Sequence, residues 1–212
     1  MKIFIKDVCK QIKGNIILDH VNLELTGGRI YGFVGRNGSG KTMLFRAVSG
    51  LMNIDSGEIT YDGNVLHREA SVLPDLGMIL ENAGLYPNLT GFENLRRLAD
   101  IKKKIDDGEI RRAIERVGLD PADKRVFRKY SLGMKQRIVI AQAIMESPAV
   151  LLLDEPTNAL DDQGVEMVRQ ILAEEKKRGA LIMIASHNRD DIELLADEVY
   201  RVADGKITRR DQ

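Results

Sequence analysis

The sequence predicts an α/β protein of one domain, built on a mainly parallel sheet. Three observations favour this class. Apolar runs that suit buried strands alternate with helical segments in the last third of the chain, which is typical of a parallel sheet covered on both faces. A glycine-rich turn joins one apolar run to a helical segment near residue 40. The length of 212 residues suits one domain with a large core and is too short for several.

The first part of the chain, to about residue 80, predicts a lobe rich in β-strands that leads into a buried strand. Glycine-containing turns separate its short β-rich runs. We expect one helix, at 42–51, and strands at 3–8, 16–18, 21–25, 30–34 and 57–63.

Residues 82–146 change to helical patterning. Thr90 and Glu93 have the spacing of a capping box, in which each side chain bonds the backbone amide of the other residue. Apolar residues then recur every three or four positions, at Phe92, Leu95 and Leu98 and again at Ile110, Ile114 and Val117, and Gly118 follows as a stop. A further helical stretch is expected at 138–145. These patterns predict a helical lobe at about 82–146 within a single domain, 1–212, whose core and β lobe take about 1–81 and 147–212.

The last third predicts a strand at 150–153, a helix at 164–178, a strand at 180–185 and a helix at 189–196. A closing hairpin is expected around Asp204-Gly205, where two β-rich runs flank a turn dipeptide.

Composition and charge exclude several classes. The chain has 32 basic and 32 acidic residues, so no net field concentrates nucleic acid or an anionic membrane surface around it. Its longest apolar runs are far shorter than the roughly 20 residues that cross a bilayer. Cys9 is the only cysteine, which excludes an internal disulfide and favours a reducing compartment. No export signal is recognised, so we expect a cytoplasmic protein.

Residues 35–42 carry the strongest chemical signal. They fit the spacing G-x-x-x-x-G-K-[ST] between an apolar strand and a helix, which is the context of a phosphate-binding loop. The backbone amides of such a loop, together with the start of the helix, attract phosphate oxygens. Lys41 is then expected to reach the β and γ phosphates, and Thr42 to bind Mg²⁺. A plain glycine-rich turn is the alternative, and the full spacing and context argue against it.

Acidic and imidazole side chains follow two of the buried strands. Asp154 and Glu155 come directly after the run 150–153, and His187 follows the run 180–185. Parallel strands present their C-terminal ends at one sheet edge, so the three side chains are expected near the phosphate loop. Asp154 would bind Mg²⁺ through water, Glu155 would orient or deprotonate the attacking water, and His187 would donate to a γ-phosphate oxygen. Taken alone, each of these residues also has an ordinary structural explanation.

Ser131 predicts a second anion-binding helix start, because it precedes the helical stretch 138–145. One nucleotide cannot easily use both phosphate sites. If the two sites lie apart on one chain, a second copy must present its Ser131 to the γ phosphate of the first. The alternative is that Ser131 is only a helix N-cap, which is also the plain explanation of 158–161 before the next helix.

These motifs, in this order and over nearly the whole chain, resemble the nucleotide-binding subunit of an ATP-binding cassette (ABC) transporter. Residues 35–42 are similar to the Walker A loop of that family and 150–154 to its Walker B strand. Glu155 is similar to the catalytic glutamate and His187 to the switch histidine. The D-loop and the family signature, which is the most specific motif, are matched by 158–161 and 131–137.

The resemblance implies a RecA-like P-loop NTPase core with an antiparallel β lobe and a helical signature lobe. It also implies an ATPase that uses ATP and Mg²⁺. The implied catalytic residues are Glu155, His187 and Lys41, and the implied metal ligands are Thr42, Asp154 and Glu81. The implied nucleotide-binding residues are Gly35, Arg36, Asn37, Gly38, Ser39, Gly40, Lys41, Thr42, Met43, Ser131 and Gly133.

The resemblance also implies partners and a place in the cell. Such subunits close head-to-tail around two ATP molecules, so we expect a homodimer or heterodimer and separate transmembrane permease subunits, with no nucleic acid. The chain would then lie peripherally on the cytoplasmic face of the cell membrane. Leu132 replaces the first glycine of the usual signature, and the form Ser-Leu-Gly-Met at 131–134 resembles the bacitracin and bacteriocin-immunity exporter branch. The expected function is therefore that of a motor for an exporter of antimicrobial peptide or drug type.

Two further positions depart from the family pattern, and one segment matches its docking site. Glu81 stands where most members carry a glutamine, and its charge would oppose the γ phosphate. Ile12 stands where the family usually places an aromatic that stacks on adenine, so we expect weak discrimination among purine nucleotides. Residues 83–89 match where the family docks its membrane subunit. Leu85 and Tyr86 are the expected anchors, and an internal loop is the alternative.

Three other functions stay open. A soluble cassette protein of DNA repair or translation shares the ATP site, although such proteins usually carry a long coiled-coil insertion or two fused cassettes. A GTPase or small-molecule kinase shares the phosphate loop, but the chain lacks an Asn-Lys-x-Asp segment and would leave Ser131 and His187 without roles. A non-hydrolysing module of a heterodimer would fit the departures at Ile12, Glu81 and Leu132.

Overall fold

The computed structural model describes residues 1–80, 84–187 and 189–210, without the side chains of 189–191. Its strands are β1 (Lys2–Ile12), β2 (Asn15–Thr26), β3 (Arg29–Val34), β4 (Ser56–Tyr61), β5 (Asn64–Val65), β6 (Leu76–Ile79), β7 (Val150–Asp154), β8 (Leu181–Ser186), β9 (Glu198–Ala203) and β10 (Lys206–Arg209). Its helices are α1 (Lys41–Ser49), α2 (Gly91–Lys102), α3 (Asp107–Arg116), α4 (Leu132–Ile144), α5 (Asp162–Lys177) and α6 (Arg189–Leu195), with a short 3₁₀ helix at Phe127–Lys129.

Two sheets organise these elements. The six-stranded sheet has the order β10-β9-β3-β8-β7-β6, and the five strands from β9 to β6 are parallel, while β10 pairs antiparallel at the edge. The other sheet has four antiparallel strands in the order β2-β1-β4-β5. The predicted α/β class, with a parallel core sheet and an antiparallel β lobe, is therefore confirmed.

The two faces of the parallel sheet pack against different partners. One face meets α1 and the inner face of the antiparallel sheet, and there Phe33 of β3 packs edge-on against Phe45 of α1 with ring centroids 5.6 Å apart. The other face is covered by the remaining helices, α2 to α6. All six residues of β8 and four of the five in β7 are buried, as a strand covered on both sides requires. These two central strands are therefore rigid, and the residues at their carboxyl ends are held in fixed positions.

Helix α2 begins, and helix α3 ends, where the sequence indicates. The predicted capping box is present, since Thr90 Oγ1 accepts from the Glu93 amide at 3.1 Å and Glu93 accepts from the Thr90 amide at 2.8 Å. Asp106 and Glu109 form a second box at the start of α3. Gly118 follows α3 with a φ of 70° and bonds back to Glu115, as expected of a stop.

Two ion pairs join the helical segment to the parallel sheet and its helices. Glu175 of α5, only 2% exposed, accepts from Arg116 of α3 at 2.9 Å and from Arg178 at 2.6 Å. Asp75, before β6, accepts from Lys104 at 2.6 Å and from the Ala149 amide at 3.0 Å. Burial alone would raise the pKa of Asp75, but these hydrogen bonds outweigh it and lower that pKa below its usual value. The division of the domain at about 82 and 146 stays a prediction.

Several strand predictions differ from the structure, since β1 continues past residue 8 to Ile12 and the short strand β5 was not predicted. The runs predicted at 16–18 and 21–25 are one strand, β2, whose register with β1 shifts opposite Val8 and lets it pass through a positive φ of 49° at His20. Strand β6 was not predicted, because Gly77 weakens its pattern. A Cβ on Gly77 would lie 1.9 Å from the Ala143 carbonyl oxygen, so the glycine lets α4 approach the sheet. Among the described residues, no helix is long and apolar enough to cross a membrane.

Candidate active site

The loop between β3 and α1 has the backbone of an anion-binding turn. Gly38 and Gly40 have φ values of 79° and 105°, a left-handed region that L side chains rarely adopt. Gly35 has no room for a side chain, since a Cβ there would lie 2.4 Å from the Val202 carbonyl oxygen. The turn leads directly into α1, whose first amides have no partner within the helix. The backbone of residues 35–42 therefore has a shape that could cradle a phosphate group, as predicted.

Lys41 is held inside this loop. Its side chain is buried, with 5% of the residue exposed, and Nζ donates to the carbonyl oxygens of Gly35 at 2.8 Å and Arg36 at 3.2 Å. The hydroxyl oxygen of Ser39 is buried beside Gly35 without a hydrogen-bond partner among the described residues. An unsatisfied buried hydroxyl is unfavourable, so a polar ligand in the loop would stabilise it. Both side chains are thus placed to bind an anion.

Thr42 and Asp154 bring two hard oxygen groups together. The Thr42 hydroxyl, at the start of α1, donates to Asp154 Oδ2 at the end of β7. Hydroxyl and carboxylate oxygens suit Mg²⁺, which usually binds to one or two protein groups and completes its shell with water and substrate phosphates. Among the described residues, no group of three or more His, Cys, Asp and Glu side chains would hold a metal without such help. The pair fits Mg²⁺ bound together with a nucleotide.

Glu155 lies at the turn that follows β7. Its φ is 50°, and its amide donates to the Ala185 carbonyl at 2.8 Å, which fixes the residue beside β8. Its carboxylate accepts three hydrogen bonds. The His187 amide donates to Oε1 at 2.8 Å, while Ser186 Oγ at 3.2 Å and His187 Nδ1 at 2.9 Å bind Oε2. The register of β7 on β8, with Asp154 opposite Ala185, brings these side chains together.

The predicted γ-phosphate contact of His187 stays a prediction, because its ring contacts Glu155 in this structure. The His187 side chain is 56% exposed and the Glu155 side chain 21% exposed. The ring is therefore free to turn toward solvent, whereas the carboxylate is anchored.

Ser131 caps α4, at the other predicted anion site, and the helix begins at Leu132, earlier than the predicted start at 138. Its hydroxyl accepts from the Met134 amide at 3.2 Å, and the Leu132 side chain that follows is 70% exposed. The start of α4 contacts the segment after Glu155, because Gln136 donates to the Pro156 carbonyl at 2.9 Å and a Cβ on Gly133 would lie 3.1 Å from the Ala159 carbonyl. The signature segment therefore touches the segment that carries Glu155, on the same chain.

Two polar residues of this region were not singled out from the sequence. Ser186 is the last residue of β8 and carries the only hydroxyl in that strand. Its position next to His187 could have identified it from the sequence. Gln136 could be recognised only from its contact with Pro156, which joins segments that are 20 residues apart in the sequence.

The remaining predicted positions are placed as follows. Glu81 lies outside the described residues. Ile12, at the end of β1, is 37% exposed. Leu85 is partly buried against the core, whereas the Tyr86 side chain is exposed and stacks under the Arg97 guanidinium at 5.1 Å. Their expected role as anchors for a partner stays a prediction. Asn94 holds this loop through both the amide and the carbonyl of Tyr86, at 2.7 and 3.0 Å.

Comparisons with known proteins agree with these motifs. A family model described as ABC transporter matches residues 18–158. An uncharacterized ABC transporter ATP-binding protein of Bacillus subtilis (strain 168), YybJ, is 47% identical over 95% of this chain and 92% of its own length. The bacitracin transport ATP-binding protein BcrA of Bacillus licheniformis is 41% identical over 95% of this chain, which spans 66% of that protein. The lantibiotic transport ATP-binding protein SrtF of Streptococcus pyogenes is 36% identical over 96% of this chain and 87% of its own length.

Solved structures show the same fold. The dimeric structure of MJ0796, a bacterial ABC transporter cassette, superposes with a TM-score of 0.87 over 99% of this chain and 98% of that one, at 22% identity. The predicted fold class, including the RecA-like core, is confirmed by this likeness.

Proposed function

Since the chain belongs to the ABC transporter family, we propose that it is the ATP-hydrolysing motor of a membrane exporter for antimicrobial peptides. ABC transporter ATP-binding proteins are ATPases, and so is this chain. The observation that carries the proposal is the convergence of Lys41, Thr42 and Asp154 with Glu155 at one sheet edge. The relatives named for bacitracin and lantibiotic transport support the cargo class. A cassette of DNA repair or translation is not favoured, because the relatives are transport proteins.

Binding begins at the phosphate loop. The backbone amides of 35–42 and the hydroxyl of Ser39 donate hydrogen bonds to the phosphate oxygens in place of water, and Lys41 moves its ammonium from two carbonyl oxygens to the nucleotide. Thr42 and Asp154 would hold Mg²⁺, directly and through water, and the ion would neutralise charge on the phosphates. The loop is already closed around the lysine, so little backbone ordering is required when the nucleotide arrives.

Hydrolysis uses the residues beyond Asp154. A water oxygen bonds to the γ phosphorus while the bond from that phosphorus to the bridging oxygen of ADP breaks, and Glu155 takes the proton that the water releases. In the structure Oε2 of Glu155 accepts from the His187 ring. When the exposed ring turns to a γ-phosphate oxygen, Oε2 becomes available to the water. His187 therefore links the presence of the γ phosphate to the availability of the base.

We propose a head-to-tail pair of subunits as the hydrolysing unit, either a homodimer or a heterodimer. Ser131 and Gly133 present the start of α4 on one side of the chain, and a second copy would place its own Ser131 against the γ phosphate. In such a pair, the contact of Gln136 with Pro156 would connect the surface that meets the partner's nucleotide to the segment of the chain's own base. The solved relative MJ0796 is itself described as dimeric.

The ATP site is expected to discriminate weakly between ATP and GTP. Ile12 has no ring to stack on adenine, and a stacked pair is worth about 0.5–1.5 kcal/mol, which is at most about tenfold in affinity. In a competition assay with the purified chain, ATP and GTP should bind within about tenfold of each other. Ile12→Tyr should improve the affinity for ATP by up to about tenfold. Binding of ATP at least a hundredfold tighter than GTP to the unchanged protein would contradict this inference.

The second prediction concerns the transmembrane partner, which we propose docks on the loop around Tyr86 and holds the chain at the cytoplasmic face of the membrane. Tyr86→Glu places a charge on an exposed position whose backbone is fixed independently by Asn94, so the fold is expected to survive. Copurification with a membrane protein of several apolar spans, and transport, should be lost, while ATPase activity of the isolated chain is retained. Tyr86→Phe is the matched control and should keep both. Loss of the ATPase activity as well would assign the loop a folding role.

A further inference from the structure

The carboxylate of Glu155 is held by donors of two kinds. One kind is fixed to the end of β8. These fixed donors are Ser186 Oγ on Oε2 at 3.2 Å and the His187 amide on Oε1 at 2.8 Å. The other kind is the His187 ring, whose Nδ1 lies 2.9 Å from Oε2. Oε2 is therefore in contact with both a buried hydroxyl and an exposed imidazole.

The two side-chain partners of Oε2 differ in how exposed they are to solvent. Ser186 is 2% exposed and lies within the parallel sheet, where its backbone pairs with Val34 of β3. The His187 side chain is 56% exposed and follows the end of the strand. Turning the imidazole away exchanges a contact for water, whereas the buried Ser186 hydroxyl has no such access to solvent. When the ring leaves Glu155, Ser186 is the side-chain donor that stays.

The composition of β8 also indicates a specific role for the Ser186 hydroxyl. The other five residues of β8 are the apolar Leu181, Ile182, Met183, Ile184 and Ala185, all buried. A hydroxyl adds nothing to apolar packing, and burying one is unfavourable unless it forms a hydrogen bond. The hydroxyl of Ser186 donates to the Glu155 carboxylate at 3.2 Å, so this buried polar group has a charged acceptor in the site.

We propose that Ser186 is a positioning residue for hydrolysis, which keeps Oε2 of Glu155 aimed at the attacking water after the His187 ring has turned to the γ phosphate. This inference rests on the proposed role of Glu155 as the base. Ser186 does not touch the nucleotide and acts only through Glu155. Its hydrogen bond would fix the side chain at one oxygen and leave the other lone pair of that oxygen for the water.

The test is the effect of Ser186→Ala on turnover compared with binding. We expect kcat to fall by about 10- to 150-fold, the value of a hydrogen bond to a charged group. The KM and the Kd for ATP should change by less than about twofold, because the phosphate loop is untouched. Ser186→Thr keeps the hydroxyl and should restore most of kcat. Ser49→Ala is the matched control, since Ser49 is also fully buried and donates to a carbonyl oxygen outside the site.

A second arm combines the substitution with Glu155→Gln and follows a single turnover. If Ser186 acts through Glu155, adding Ser186→Ala should slow the Glu155→Gln protein by less than about twofold. An additional loss as large as in the unchanged background would overturn the inference, and so would a normal kcat for Ser186→Ala. Should Ser186→Ala fold poorly, an equally low kcat in Ser186→Thr would overturn it. A Glu155→Gln protein that turns over normally would instead overturn the proposed role of Glu155, and this inference with it.

Discussion

Glu155→Gln is expected to lower ATP turnover by about 10²- to 10⁴-fold, the usual contribution of a general base. The glutamine side chain has almost the same shape and keeps an oxygen that can accept from Ser186 or from the His187 amide. It has no lone pair on nitrogen that can take a proton from water. The loss should therefore appear in kcat, as measured in a steady-state phosphate-release assay, while ATP binding is retained.

The same variant is expected to trap the paired state. With hydrolysis blocked, two copies that each hold ATP should stay together, so size-exclusion chromatography at saturating Mg-ATP should show a dimer. Glu166→Gln is the matched control, because this side chain on α5 is 57% exposed and lies outside the site. It should leave turnover unchanged and show no stable dimer. A Glu155→Gln protein that stays monomeric with ATP bound would contradict the head-to-tail pair.

Lys41→Ala is expected to weaken nucleotide binding by about 10- to 150-fold, because a charge-assisted contact worth about 1.5–3 kcal/mol is lost. The ammonium is already buried in the loop and bonded to Gly35 and Arg36, so it is aimed at the phosphate position before the ligand arrives. Titration with a fluorescent ATP analogue measures the effect directly.

The control for this variant is Lys177→Ala, at an exposed position near the end of α5, which should leave the affinity unchanged. The melting temperature of the nucleotide-free protein should be followed in parallel, because alanine also leaves the two carbonyl oxygens of Gly35 and Arg36 without their donor. Unchanged affinity for the ATP analogue in a folded Lys41→Ala protein would show that residues 35–42 are not the phosphate site.

The parts of this structure that could be predicted from sequence are those set by local rules. The loop at 35–42, the capping box of Thr90 and the stop at Gly118 each depend on a few neighbouring residues, and all three are where they were expected. Strand β6, in contrast, could not be predicted by local rules. Gly77 suggests a break by local rules, and only the approach of α4 to the sheet explains why a glycine stands in a strand there.

The parts that could not be predicted depend on register and burial. Sequence placed Glu155 and His187 at one edge, but not that they contact each other, because the contact follows from the pairing of Asp154 with Ala185. Likewise, Leu85 and Tyr86 are adjacent apolar residues that look equivalent in sequence. Packing partly buries Leu85 against the core and leaves Tyr86 exposed, so only the structure favours Tyr86 as the residue to test for docking.

In a head-to-tail pair, the hydrogen bond between Gln136 and Pro156 would couple the hydrolysis of the two ATP molecules. In a head-to-tail pair, α4 of each subunit meets the nucleotide of the other, and the same helix is tied to the residue next to that subunit's own Glu155. ATP binding at one site of the pair would thus alter the other catalytic site as well. The two halves would then work in concert, and the velocity would rise more steeply than in proportion to ATP concentration.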